Sequence, residues 1–503
     1  MKKDRSPPRA RRWARARNAA AGLAGLAAIV LGAAPADAQL DFLTNMLMPE
    51  SQEGDIARAE HPKIVAQFGG EYADPALSQY VNQLAATLGR NSDRPDLQYR
   101  VTILNSPVIN AFALPAGYLY ITRGLLALAD DEAELAGVLG HEIGHVTARH
   151  TANRYSRGVL AQGVVGILGV LARDTSLAGL AQLAEPAAMV ALQSFSREQE
   201  NEADLLGIRT MAKASYNPQA MATFLESLDA STALDARLAG RDPAEANRFN
   251  LFATHPRTAD RVRATIAAAQ AVRVDRPQTG REAYLRRING LVFGDDPEQG
   301  IVRGQAFIHP TLGIRFEVPQ GFRLLNGGSQ VTAQNQQGGL IRFDMQRVAA
   351  GVAPDRYIAE DWAAGRQLGG LRPSVVSGFA AASATTVMAV ENQQPVTALV
   401  VAIRGAGETM YRFLCLAPQA AADGMMPQFA QTVQSFRQPT DAERAEARPL
   451  RIRTVAVQRG ETVERIAERM ANDGDKVERF RTLNSLSPAA QLKPGQMVKI
   501  VTE

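Results

Sequence analysis

The stretch His141-Glu142-Ile143-Gly144-His145 constrains this chain more than any other. The run before it, Asp131 to Leu139, supplies an acidic first turn and then apolar residues at helical spacing, which predicts a helix through the motif. Residues four apart on a helix share a face, so both imidazoles can point at one metal ion. Glu142 lies beside the first of them, where a carboxylate can take a proton from water activated by the metal. An open zinc site needs a third His, Glu or Asp, usually from a neighbouring helix. The fold must therefore pack a second helix closely against this one.

A candidate second helix runs through Ser196-Arg197-Glu198-Gln199-Glu200-Asn201-Glu202-Ala203-Asp204. Glu200 and Asp204 repeat the four-residue spacing, and by spacing alone Glu198, Glu200 or Glu202 could supply the third ligand. His-Glu-x-x-His followed by Glu-x-x-x-Asp resembles the M48 family of zinc metallopeptidases. The resemblance implies a mainly α, zincin-like domain in which His141, His145 and Glu200 hold one zinc ion per chain. It also implies that Glu142 is the general base and that Asp204 hydrogen-bonds a ligand imidazole, fixing its tautomer.

Two further segments carry the same resemblance. Asn110-Ala111-Phe112-Ala113-Leu114-Pro115-Ala116-Gly117-Tyr118 is similar to the family's strand beside the active site, with Ala116 where glycine is more common. This implies that Asn110, Ala111, Phe112 and Ala113 bind an extended substrate peptide through the backbone, with little sequence preference. Thr254-His255-Pro256-Arg257 and the trailing Arg261 resemble the family's Thr-His-Pro loop. His255 is then either a removable fourth ligand or a donor to the developing oxyanion, with Arg261 a competing donor; a structural helix start at Thr254 and Pro256 is the other reading.

The chain opens with a basic region, an apolar run from Ala19 to Ala34 and Ala36-Asp37-Ala38, which together read as a secretory signal peptide over residues 1–38. The apolar run is short for a retained bilayer span. Arg11-Arg12 raises twin-arginine export beside the default general secretory route. Residues 1–38 hold eight Lys/Arg against two Asp/Glu, so of the overall charge of +4 the remainder keeps about −2. Nucleic-acid binding loses its main support. Cys415, the single cysteine, excludes an internal disulfide and sits in a strand-like segment as a buried thiol.

So long a chain exceeds one hydrophobic core, and the pattern divides it. Residues 39–275 carry the metallopeptidase resemblance, with a strand pair around Tyr99–Leu104 and Gly117–Thr122 and an apolar Gly/Ala-rich hairpin from Gly158 to Phe195. That hairpin packs over the cleft or touches a membrane or unfolded clients. Residues 276–300 form a polar linker, after which period-2 alternation at Gly313–Val318 and Leu340–Met345 marks an α+β unit over 301–438. That unit resembles small PsbP-like domains; its His309 stands alone and reads as structural.

A second linker, 439–451, leads to residues 452–503. There Val455–Ala467, Leu483–Leu486 and Leu492–Ile500 give a strand, helix, helix, strand order that resembles a βααβ LysM domain. The resemblance implies a peptidoglycan partner and a shallow groove near Gly460, Glu461, Thr462 and Asn484, with Glu461 departing from the usual aspartate. A LysM that only packs against its own chain is the alternative.

The combined expectation is an exported, periplasmic, cell-wall-associated zinc endopeptidase acting on misfolded envelope proteins, with contact to membrane or outer-membrane assembly components. A peptidoglycan peptide hydrolase and a latched chaperone or scaffold are the competing functions.

Overall fold

A computed structural model describes residues 50–154, 195–238, 255, 259–388, 395–471 and 474–503. The signal-peptide reading and all of the apolar hairpin except Phe195 lie outside the described residues. No helix among the described residues is long and apolar enough to cross a membrane.

The first unit begins with helices α1 (Glu50–Gln67) and α2 (Pro75–Arg90). Asp74 caps α2, accepting from the Leu77 N–H at 2.9 Å, and Pro75 occupies the first turn, where its missing N–H costs nothing. Strands β1 (Arg100–Leu104), β2 (Ala111–Leu114) and β3 (Tyr118–Thr122) form a sheet in the order β1-β3-β2. The expected strand pair is there, running parallel, with β2 added antiparallel as an edge. Ala116, in the turn between β2 and β3, takes φ 59°, ψ 26°. That left-handed geometry costs an alanine about 1–2 kcal/mol, which explains a preference for glycine there.

Helix α3 (Arg123–Leu128) leads into α4 (Glu132–Thr147), which carries the motif. Asp131 caps α4 through the Glu134 N–H at 2.9 Å. Every residue from Ala133 to Val146 is buried, so α4 is the central strut of the unit and not a surface helix. Helices α5 (Arg197–Lys213) and α6 (Ala220–Leu238) pack against it, and α7 (Ala259–Ala271) packs on those two.

The segment 276–300 departs from its reading as a linker. It folds as α8 (Arg281–Ile288) and strand β4 (Val292–Phe293). Tyr284, Leu285 and Ile288 are fully buried in the main core, and the Tyr284 hydroxyl donates to the Leu126 carbonyl at 2.6 Å. Polar residues dominate the sequence there because only one face of this short helix turns inward.

The middle unit is α+β, as its alternation predicts. A seven-stranded antiparallel sheet has Arg323–Asn326 and Gly369–Val376 at its edges and the hairpin Val396–Arg404/Thr409–Pro418 inside it. Helix Ala422–Gln434 covers one face through Met425, Phe429 and Val433. The helical pattern at Tyr357–Leu368 shrinks to one turn, Pro354–Tyr357, and a π-turn, Ile358–Trp362. Cys415 is fully buried, and burial raises its thiol pKa far above the ordinary value. His309 Nδ1 accepts the Leu312 N–H at 3.3 Å, a structural use.

The C-terminal unit shows the strand, helix, helix, strand order: Leu450–Ala456, Val463–Ala467, Lys476–Leu483 and Met497–Thr502. It is not a separate bead. β4 adds a third strand to its sheet beside Leu450 and Arg451, so the assumed linker boundary at 451 falls inside a strand. Ile452, Ile466, Phe480 and Val498 belong to the same apolar core as α2, α4 and α6. Lys499 is wholly buried, and its ammonium donates to the carbonyls of Ala127, Leu128 and Ala129 at 3.0, 2.8 and 2.8 Å. Asp130 Oδ1 lies 3.1 Å away. One cation from the last strand thus caps the end of α3 and holds the turn that starts α4.

Candidate metal centre

Two helices make the centre because glycines let them touch. A Cβ on Gly144 would sit 2.8 Å from the Ala203 carbonyl oxygen, and one on Gly207 would sit 2.9 Å from the His141 nitrogen. With hydrogen there, α4 and α5 approach closely enough for side chains one atom too short elsewhere to meet at one point. Gly144→Val is expected to wedge the pair apart, weakening zinc binding at least about tenfold and stability by about 1–3 kcal/mol. Chelator competition and urea unfolding would check this; unchanged zinc affinity would mean that the crossing does not set the site.

His141, His145, Glu200 and His255 converge there, all buried, with ligating atoms within 4.8 Å of one another. His141 Nε2 lies 3.0 Å from His145 Nε2, 3.1 Å from His255 Nδ1 and 3.6 Å from Glu200 Oε2. Glu200 Oε1 is 3.4 Å from His145 Nε2 and 2.9 Å from His255 Nδ1. Four ligands bonded to zinc at 2.0–2.1 Å would stand about 3.3 Å apart at tetrahedral corners. Three imidazoles and one carboxylate at these separations suit zinc in chemistry and in size.

The protonation states of His145 and Glu200 also fit, whereas for His141 burial opposes the charge and Asp204 and Glu200 outweigh it, raising its pKa. Burial strips water from His145 and pushes its pKa well below the ordinary value, leaving a neutral imidazole with a free lone pair. Burial works against ionised Glu200, but the charges and hydrogen bonds of His255, His145 and His141 outweigh it and hold the carboxyl well below its usual range. Asp204 Oδ1 stands 2.8 Å from His141 Nδ1, as expected for a group that orients a ligand. Burial opposes the charge on Asp204 too; Arg261 and His141 overcome it.

Glu142 is 1 % exposed, and among the described residues neither carboxylate oxygen accepts a hydrogen bond. Oε1 lies 3.3 Å from His255 Nε2. A buried carboxylate without donors is costly unless it has a polar partner to handle, which is what a general base requires. Beside it lies a narrow cleft whose apolar wall is Val138, Met221, Phe224 and Leu225.

Arg261, expected as a competing oxyanion donor, is engaged with two carboxylates. Its Nε and Nη2 bind Asp204 at 2.8 and 2.9 Å, and Nη1 contacts Glu200. The guanidinium clamps two carboxylates together, and Thr265 adds a hydrogen bond to Asp204 at 2.9 Å. Glu202 points away from the centre, to His150, and Glu198 is exposed, which leaves Glu200 as the α5 carboxylate among the ligating atoms.

The structure puts Asn110, Ala111, Phe112 and Ala113 at the edge of the small sheet, packed against α4. Phe112 stacks on Tyr120, centroids 4.9 Å apart, and Ala111 and Ala113 enter the core; all four residues of β2 are buried, so its backbone edge is covered in this structure. In the C-terminal unit, Asn484 does not line a groove. Its amide donates to the Phe480 and Lys499 carbonyls and its oxygen accepts the Lys499 N–H at 2.7 Å, all inside the domain. Gly460, Glu461 and Thr462 form the turn before the first helix, where Thr462 caps that helix and Glu461 accepts from the Gln458 N–H.

Sequence reading missed Phe195, stacked on His145 at 3.8 Å, and Arg154, whose Cζ lies 4.0 Å from the same ring. It also missed His150 and Thr265. His150 had a signal, since a third histidine five residues after His145 extends the motif.

Residues 73–268 match peptidase family M48, and residues 455–501 match the LysM domain. The Beta-barrel assembly-enhancing protease of Escherichia coli (strain K12) is 33 % identical over 225 residues, 43 % of this chain and 44 % of that one. The mitochondrial metalloendopeptidase OMA1 of Schizosaccharomyces pombe is 28 % identical over 204 residues, 39 % of this chain and 54 % of the relative. The chain thus spans about half the length of these relatives, or less. Cyanobacterial PsbP from Synechocystis matches 29 % of this chain at 15 % identity with a TM-score of 0.22, too low to argue from.

Proposed function

From an M48 metallopeptidase domain at residues 73–268 joined to a LysM domain at 455–501, we propose that this protein is an exported zinc endopeptidase that cleaves envelope proteins near peptidoglycan. The observation that carries the activity is the convergence of His141, His145 and Glu200 beside a buried Glu142 without hydrogen-bond donors. Zinc at this site supplies a Lewis acid for the scissile carbonyl and acidifies water. Glu142 takes the proton of the attacking water and delivers it to the leaving amine nitrogen. Arg261 and Asp204 hold Glu200 and His141 in place. β2 is the last strand of its sheet, and once uncovered its backbone would align an extended peptide by pairing, which reads conformation more than sequence and favours unfolded or misassembled clients.

Zinc content and casein cleavage by the chain lacking residues 1–38 test this reading. One zinc per chain with cleavage supports it, and absence of zinc overturns the ligand assignment. Release of muropeptides from purified sacculi, with casein intact, would favour a peptidoglycan peptide hydrolase. The name of the Escherichia coli relative suggests outer-membrane assembly components among the partners, and the LysM domain suggests the periplasmic cell wall as the place.

One observation favours a latched resting state. His255 Nδ1 stands among the other ligating atoms, so a zinc ion held there would have four protein ligands and no open position. His255 is accordingly assigned as a removable fourth ligand, a role that also fits a chaperone or scaffold with little proteolysis. His255→Ala is expected to weaken zinc binding about 10-fold or more while raising turnover per bound zinc. Unchanged zinc affinity together with unchanged turnover would remove His255 from the mechanism.

A further inference from the structure

His145 and Glu202 are joined through a residue outside the ligand set. His145 Nδ1 lies 3.1 Å from His150 Nδ1, and His150 Nε2 lies 3.2 Å from Glu202 Oε2. His145 is 0 % and His150 4 % exposed, whereas the Glu202 side chain is 60 % exposed. A continuous helix could not make this contact. Residues five apart on it are rotated by about 140°, onto nearly opposite faces.

The chain makes the contact by breaking the helix. α4 ends at Thr147, Arg149 takes a left-handed φ of 58°, and His150 starts the next helical turn folded back beneath His145. A non-glycine residue held there needs a restraint. Arg149 has one: its guanidinium binds Glu53 of α1, Nε to Oε1 at 2.9 Å and Nη2 to Oε1 at 2.8 Å, with Glu53 3 % exposed.

Ligation of the metal through His145 Nε2 would set the direction of these hydrogen bonds. With His145 Nε2 among the ligating atoms, its proton must sit on Nδ1, which then donates. His150 Nδ1 must accept, so the His150 proton sits on Nε2 and points at Glu202. His141 is backed differently, by the buried carboxylate of Asp204.

We infer that His150 and Glu202 form a relay from the metal centre to the protein surface that fixes the tautomer and donor strength of His145. They are positioning residues, and the Arg149–Glu53 pair sets the turn on which the relay depends. The two histidine ligands therefore differ. His141 is held by a buried charge, and His145 by a neutral imidazole whose backing carboxylate meets solvent.

The inference rests on the metallopeptidase reading, and zinc itself is the probe. Zinc affinity by chelator competition and the thermal midpoint of the zinc-free protein would be measured for the wild type, His150→Ala, His150→Asn, Glu202→Gln and the double variant His150→Ala/Glu202→Gln. His150→Ala is expected to weaken zinc binding 10- to 100-fold with the zinc-free midpoint unchanged. His150→Asn, whose amide oxygen can still accept, should recover most of the loss. Glu202→Gln, at an exposed position that does not threaten folding, should weaken binding several-fold alone and add nothing to His150→Ala.

Full zinc affinity in His150→Ala, or a Glu202→Gln effect that adds in full to it, overturns the relay. So does a zinc-free midpoint that falls in step with affinity, since a merely structural role predicts that. Failure of the wild type to bind zinc would sink the metal reading itself and is thereby distinguished.

Discussion

Glu142→Gln is expected to keep its zinc and lose 10²- to 10⁴-fold in turnover. The amide has the size of the carboxylate but cannot take a proton from water. Because neither Glu142 oxygen accepts a hydrogen bond from the described residues, the substitution alters only the 3.3 Å approach to His255 Nε2. The four converging ligand atoms belong to other residues, so affinity should change by less than about threefold. Casein hydrolysis measured beside zinc stoichiometry separates the two effects. A variant retaining a tenth or more of wild-type turnover would show that Glu142 is not the base.

The second large effect lies far from the metal. Lys499→Met is expected to cost about 3–5 kcal/mol, because it leaves three buried carbonyls without their cation and Asp130 with only the more distant Arg281, at 3.5 Å. Methionine fills similar space, so the loss is electrostatic and not a cavity. The damage should reach the metal centre, since the turn from Ala129 to Asp131 starts α4 and Asp131 caps it. The urea midpoint and zinc affinity should both fall, and Asp130→Asn in the same chain should recover part of the stability by removing the stranded charge. A midpoint within about 0.5 kcal/mol of the wild type would show that the C-terminal unit is merely tethered.

That expectation changes what a LysM domain is in this protein. An anchor on a free linker would let the peptidase wander around its attachment point. Here β4 completes the LysM sheet, Ser485 Oγ meets Ser227 Oγ of α6 at 2.7 Å, and Arg237 pairs with Asp475 at 3.0 Å. The two units are built as one body with a shared core.

The sequence disclosed the site in proportion to how local each part is. His141 and His145 lie within one helical turn, so their shared face follows from backbone geometry, and Glu200 with Asp204 follows on a second helix in the same way. His255 was legible as a residue near the metal; its seat among the ligating atoms required the fold. Arg261 was legible as a donor near the metal; that its fork meets two carboxylates from another helix required the fold. The reading of Asn484 failed, since its side chain closes hydrogen bonds inside the domain.

Periodicity carried the division into helical, α+β and βααβ parts, because alternation at period 2 and at 3.6 reports which face of each element is buried. It misjudged 276–300, where a polar helix with one buried stripe looks like a linker until its partner surface is known. By itself, then, the sequence determined the candidate donors, the carboxylate beside them and the spacing that puts each on one helical face. Tertiary structure alone decided how tightly α4 and α5 cross, what clamps Glu200 and Asp204, what stands behind His145, and that the last strand braces the metal helix. Those contacts join residues as many as 372 positions apart, and no local pattern encodes which distant groups will share a buried space.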